Sequence, residues 1–170
     1  MYRYRPTKRY NKTLDFVKQY LKEPSVILDL GVYNPLAQKI KALGHEIQYT
    51  HGEDLDTHFS VVNNSKYEVI SAFEILEHLV STYPLLEAIK ARKLIASIPL
   101  KLSFASAYRS KTDPRDRHYH EFESWQFDWL LEKAGWRIVA REKWTNPGSF
   151  KLGFRPILRW FTPRYYIDYA

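Results

Sequence analysis

Val26–Asn34, VILDLGVYN, is the stretch that decides the fold. It is an apolar run with a single acid, Asp29, and it breaks at Gly31. Asn34-Pro35 then opens an amphipathic run, LAQKIKAL. Near-continuous apolar character means a strand buried on both faces, as in a parallel sheet. A strand that ends at glycine and re-enters as a helix sets a tight turn at the carboxyl edge of the sheet, where open α/β folds bind ligands.

The rest of the chain can be placed around that turn. Leu14, Val17 and Leu21 recur at helical spacing and predict a helix over 12–21, closed near Pro24. After the turn, Pro35 suits a first helical turn because its missing N–H has no intrahelical partner there. Leu36, Ile40 and Leu43 give that helix an inner face, and Gly44 ends it. EIQYT (46–50) is a second strand, so strand, helix and strand imply a right-handed parallel crossover. YEVISAF (67–73) and KLIASI (93–98) are two more strands, with a helix over 84–91 between them. Residues 100–122 form a long polar loop carrying Tyr108, His118, Tyr119 and His120, of a length that suits a lid or a binding loop. Trp125, Trp129 and Leu130 predict the apolar stripe of a helix over 123–134. The final strands, 136–144 and 164–170, have no helix predicted between them and should pair antiparallel. The expected architecture is an α/β Rossmann-like three-layer α/β/α sandwich. Its sheet is mostly parallel with a terminal antiparallel strand, in one domain over 1–170. An arm and helix at 1–24 and a basic, aromatic insertion at 145–163 decorate it.

Composition narrows the function classes. A 45% hydrophobic content argues against disorder. No cysteine is present, which excludes disulfides, thiolate metal sites and a thiol nucleophile, and agrees with a cytoplasmic setting. No apolar run approaches the roughly 18 residues of a membrane span, and the basic start MYRYRPTKRY lacks the apolar core of a secretory signal. The net charge of +7 suits an acidic partner, whether nucleic acid, phosphorylated metabolite or anionic lipid surface; plain solubilisation explains it more simply. FKLGFRPILRWFTPRY (150–165) could meet a membrane surface or grip phosphates and bases. The plainer expectation is that Phe154, Ile157, Leu158 and Trp160 pack on the domain and leave the arginines wet.

Four pieces in order carry a family resemblance: ILDLG (27–31), YEVISAFEILEHL (67–79), KLIASIPL (93–100) and FESWQFDWLLEKAGWRIV (122–139). With them the chain, from about Ser25 to Ala170, resembles the class I S-adenosylmethionine-dependent methyltransferases of the small, single-domain kind. The resemblance implies S-adenosyl-L-methionine as cofactor and methyl transfer to an oxygen or nitrogen of a small, glycan-like or extended acceptor. It implies that the backbone at Gly31 and Val32 approaches the methionine part and that Asp29 orders the turn and the cationic amino group. N–H groups at the following helix start would meet the carboxylate. The chain departs from the pattern in keeping only one glycine; Asn34 stands where a left-handed residue is tolerated, and Tyr33 narrows the approach. The acid that holds both ribose hydroxyls falls on His51 by count, with Glu53 and Asp54 close behind. Residues 51–66 leave little room for the family's usual helix and edge strand, so that strand is lost or shortened. Phe73 and Glu74 would set their backbone against the cofactor.

Glu77-His78 matches the family's Glu-His pair, whose expected role is to tie a helix start to the sheet. His118 and His120 lie on the loop after strand four, where a neutral imidazole could take a proton from a substrate hydroxyl; each could equally pack the loop. His118-Tyr119-His120-Glu121 could also be a metal fragment, but no second cluster has ligand spacing, so no metal is expected. Two rivals stand beside the enzyme: a non-catalytic interaction module on the same fold, and a nucleic-acid-binding module.

Overall fold

The computed structural model describes residues 7–146 and 154–170. Six strands, β1 (Val26–Asp29), β2 (Glu46–Tyr49), β3 (Val69–Phe73), β4 (Lys93–Pro99), β5 (Ala140–Trp144) and β6 (Tyr165–Tyr169), form one sheet in the order β2-β1-β3-β4-β6-β5. The first four are parallel; β6 runs antiparallel to both β4 and β5. β2 is an edge, and the segment before β3 holds only a 3₁₀ turn, Ser60–Asn63. The edge strand doubted from the short connector is therefore missing among the described residues.

Alternation along the strands divides the core in two. Ile27, Val69 and Ile95 face α1 (Thr7–Tyr20) and α2 (Pro35–Lys41), where Phe16, Val17, Leu36 and Ile40 cover them. Leu28, Ile70 and Leu94 face the other way, onto Leu85 and Leu86 of α3 (Thr82–Ala88) and Phe127 and Leu131 of α4 (Ser124–Lys133). The three-layer sandwich is thus the consequence of strands apolar on both sides. No helix among the described residues is long and apolar enough to cross a membrane.

Three local expectations need correction. The buried face of α4 is Phe127 and Leu131; Trp125 and Trp129 are 47% and 64% exposed and stack edge-on against each other at 4.8 Å. The strand predicted from Trp136 begins only at Ala140. The 145–163 insertion contains a helix, α5 (Phe154–Phe161), on which Phe154, Ile157 and Trp160 are exposed and Leu158 is half-buried. Residues 1–6 of the basic arm and 147–153 of the insertion lie outside the described residues.

Candidate functional site

The chain leaves β1 toward β2 on one side and returns to β3 on the other, so the carboxyl ends of β1 and β3 mark the switch in strand order. Such switch points are where open α/β sheets bind ligands. Asp29 ends β1 there, 4% exposed, opposite Tyr49 and Ser71 in the neighbouring strands. Ser71 Oγ donates to its carboxylate at 2.6 Å and Asn34 Nδ2 at 3.2 Å. Burial pushes the Asp29 carboxyl up to about 6 despite both hydrogen bonds.

The glycine turn is pinned on both sides. Gly31 N–H donates to Thr50 Oγ1 at 2.7 Å, and Gly31 has φ +153°, where a side chain is strained. Asn34 is extended, at φ −146°, instead of left-handed: its Oδ1 caps α2 by accepting from Ala37 N–H at 3.0 Å. Val32 and Tyr33 point outward, 56% and 60% exposed, with Tyr33 edge-on to Tyr49 at 5.5 Å.

Across the switch point, Glu74 follows β3 with φ +57°, the one left-handed non-glycine residue described. Such a conformation costs on the order of 1–3 kcal/mol and persists where the surroundings enforce it. Here Glu74 N–H donates to Ser97 O at 3.0 Å, while the carboxylate accepts from Ser97 Oγ at 2.9 Å and pairs with Arg9 of α1 at 3.2 Å. Burial raises its carboxyl, and Arg9 and Ser97 counter that. A cavity of about 140 Å³ lies between Asp29 and Glu74, walled by Gly31, Asn34 and Phe73 and roofed by Arg9.

A second cavity, of about 240 Å³, shares the Arg9–Glu74 wall and continues over Glu77, His78, Tyr108 and His118. The 100–122 loop reaches it because Tyr119 and His120 N–H both donate to Glu77 O, at 2.8 and 3.2 Å. His118 thereby packs edge-on against His78, ring centroids 4.7 Å apart, and beside Tyr108 at 4.6 Å. Burial, then the charges of His78 and Arg164, lower His118 to about 4, so its ring is neutral at pH 7, and its Nδ1 is buried without a partner. His120 is committed elsewhere: Nε2–H donates to Val80 O at 3.1 Å and the ring stacks on Phe122. Beyond Tyr108 and Arg164 a third cavity, of about 480 Å³, opens between the loop and α5, with Arg109 and Arg159 on its wall.

Of the residues singled out from sequence, Asp29, Gly31, Val32, Asn34, Phe73 and Glu74 line one cavity. His118 lines the next one, and His120 lines none of these three. His51, Glu53 and Asp54 do not reach the Asp29 cavity: Glu53 Oε2 accepts from His51 N–H at 2.6 Å, and Asp54 Oδ1 accepts from Asp56 N–H. Arg9 and Arg164 were not foreseen as lining residues, whereas Tyr108 was expected on the 100–122 binding loop. Arg9 is one cation among four in the first ten residues, and nothing local marks it as the partner of Glu74.

No protein-family model and no curated protein sequence matches the chain. Solved structures do. One is a SAM-dependent methyltransferase from Archaeoglobus fulgidus, at 14% identity and TM-score 0.64, covering 95% of this chain and 93% of that one. Another is the 1,6-didemethyltoxoflavin-N1-methyltransferase of Burkholderia thailandensis, solved with 1,6-didemethyltoxoflavin and S-adenosylhomocysteine (14%, TM-score 0.62, 95% and 76% covered). A third is the [4+2]-cyclase SpnF, at 12% identity and TM-score 0.58, covering 94% and 80%. Identities this low speak to the fold. With its strand order, its reversed terminal pair and these likenesses, the chain has the fold of the class I S-adenosylmethionine-dependent methyltransferases.

Proposed function

We propose that the protein is an S-adenosylmethionine-dependent methyltransferase acting on an oxygen or nitrogen of a small or extended acceptor. One observation carries this reading: two carboxylates, buried Asp29 and half-buried Glu74, face one cavity at the switch point of a sheet of this fold. That donor set fits the methionine end of the cofactor, which carries an ammonium and a sulfonium. When bound, the cofactor supplies a methyl group on cationic sulfur, open to in-line attack by the acceptor. Asp29, held by Ser71 and Asn34, receives the amino group, and the Gly31 backbone allows close approach. Glu74 stabilises positive charge beside it once Arg9 releases its carboxylate. At the adenosine end, the turn after β2 must re-form before Glu53 or Asp54 can take the ribose, because both carboxylates now bond their own loop.

The acceptor enters over the second and third cavities. Arg109, Arg159 and Arg164 there suit an acceptor with an anionic group. His118, neutral at pH 7, lines the second cavity where the acceptor enters; His120 positions the loop through Val80. The contribution of these groups is mainly positioning.

A second reading, a non-catalytic module on this fold, is favoured by the size of the Asp29 cavity. At about 140 Å³ it is below the roughly 300–1,000 Å³ of most small-molecule sites, and an ion pair closes it. Calorimetry with S-adenosylmethionine and S-adenosylhomocysteine separates the two. Saturable heat supports the enzyme; silence at millimolar ligand supports the module.

A further inference from the structure

Glu77, His78 and His118 come from two segments some forty residues apart and converge on the second cavity. One potential ligand atom from each lies within 4.8 Å of the others. The arrangement has features that packing alone does not explain. Glu77 is 1% exposed, yet its Oε2 has no hydrogen-bond partner, and neither does the buried Nδ1 of His118. An unpaired buried carboxylate is expensive, and the Glu74 carboxylate nearby makes it more so. The ion pairs in reach do not compensate: Arg9 is engaged by Glu74, and the nearest basic group to Glu77, His78 Nε2, stands 3.8 Å away.

His78 is already oriented as a ligand. Its Nδ1–H donates to Arg117 O at 2.9 Å. A backbone carbonyl accepts only, so Nδ1 is the donor in this bond and Nε2 is the ring nitrogen that faces Glu77. The same loop that supplies Arg117 supplies His118, and it is tied to Glu77 by the Tyr119 and His120 amides. Backbone hydrogen bonds therefore hold all three side chains in one place.

We propose that Glu77, His78 and His118 form a binding site for a divalent transition-metal ion of the zinc class. Two imidazoles and one carboxylate make a donor set that suits Zn²⁺ or Co²⁺, whereas Mg²⁺ and Ca²⁺ favour oxygen alone. Bonds of about 2.0–2.2 Å set ligand atoms roughly 3.4 Å apart around a tetrahedral ion. The three ligand atoms, within 4.8 Å of one another, must close toward that spacing for an ion to bind. Three protein ligands leave a position open toward this 240 Å³ space, which also borders Glu74.

This site rests on the methyltransferase reading for its role and narrows the acceptor to an alcohol or phenol. A hydroxyl at the open position loses its proton to solvent at lower pH than in water. Its oxygen then forms the O–CH₃ bond as the S–CH₃ bond of the donor breaks and sulfur keeps the electron pair.

The test titrates tag-free full-length protein with Zn²⁺ by calorimetry, and with Co²⁺ by visible absorption. One Zn²⁺ should bind per chain. Co²⁺ should give the d–d bands of nitrogen ligation, which Zn²⁺ competes away. His78→Ala and His118→Ala, checked for native circular dichroism, should each weaken Zn²⁺ binding at least tenfold. Absence of Zn²⁺ binding at millimolar concentration overturns the proposal, as does a cobalt spectrum unchanged from the aqueous ion. So does equal zinc affinity in wild type and both variants, which means that the other histidines bind it. Titration with S-adenosylhomocysteine is read separately. Zinc binding without that ligand's heat leaves the metal site standing and removes the methyl-donor reading; the opposite pair of results does the reverse.

Discussion

Asp29→Asn separates what the first turn contributes to stability from what it contributes to binding. In the folded chain the Asp29 carboxyl is pushed from its ordinary 3.8 to about 6 by burial. That difference amounts to about 3 kcal/mol of unfavourable charge burial. The sign follows from proton uptake. Between roughly pH 4 and 6 the unfolded chain has lost this proton while the folded chain keeps it. Stability therefore falls as pH rises through that window, and the whole penalty is present above it. Asparagine removes the charge and keeps both contacts, its oxygen accepting from Asn34 Nδ2 and its amide donating to Ser71 Oγ, but the two hydrogen bonds lose their charge assistance. That loss offsets about 1–2 kcal/mol. Asp29→Asn should thus be about 1–2 kcal/mol more stable than wild type at pH 8, a rise of about 2–8 °C in Tm for a chain of this size. Near pH 4 it should be slightly less stable. Binding should go the other way, since losing a charge-assisted contact to the ammonium weakens S-adenosylhomocysteine about 10- to 100-fold at pH 8. Thermal unfolding by circular dichroism across pH 4–8, with calorimetry at pH 8, measures both. A variant less stable than wild type at pH 8 would refute the charge argument. Unchanged affinity would refute the placement of Asp29 against the cofactor.

Other perturbations test other parts of the molecule. Arg9→Ala strands the Glu74 carboxylate, and because the pair is partly exposed the loss should be about 1–3 kcal/mol by urea unfolding. It should also tighten S-adenosylhomocysteine several-fold by freeing Glu74; weaker binding would mean that Arg9 holds the ligand instead of closing its site. Phe127→Ala, at a fully buried position, should cost about 3–5 kcal/mol. Trp129→Ala on the exposed side of the same helix should stay within about 1 kcal/mol, and equal losses would mean that α4 is turned the other way. Asp168, 1% exposed in β6 with both carboxylate oxygens unpartnered, is pushed up to about 7 by burial and then by Asp128. Asp168→Asn should raise stability by about 2–4 kcal/mol at pH 8 and leave it unchanged near pH 4; a gain independent of pH would point to packing and not to charge.

The sequence by itself determined the sandwich. Strand and helix periods are local, so the apolar runs at 26–30, 67–73 and 93–98 declared strands buried on both faces. The short 51–66 connector declared an edge strand lost or shortened, and the break at Gly31 marked the carboxyl edge of the sheet. Asp29 and Glu74 were legible for the same reason, since each directly follows or ends such a strand. What needed tertiary structure is everything that depends on two distant segments meeting. Helical spacing in α4 fits both Trp125–Trp129 and Phe127–Leu131, and only contact with β6 and α3 decides which face is covered. Arg9 meets Glu74 because α1 packs over the carboxyl edge. His118 meets Glu77 and His78 because two loop amides bond one backbone carbonyl. Such contacts are made through space by chain segments that carry no mark of each other. A histidine in a polar loop and a Glu-His pair after a strand become one constellation only when the loop folds back across the sheet edge.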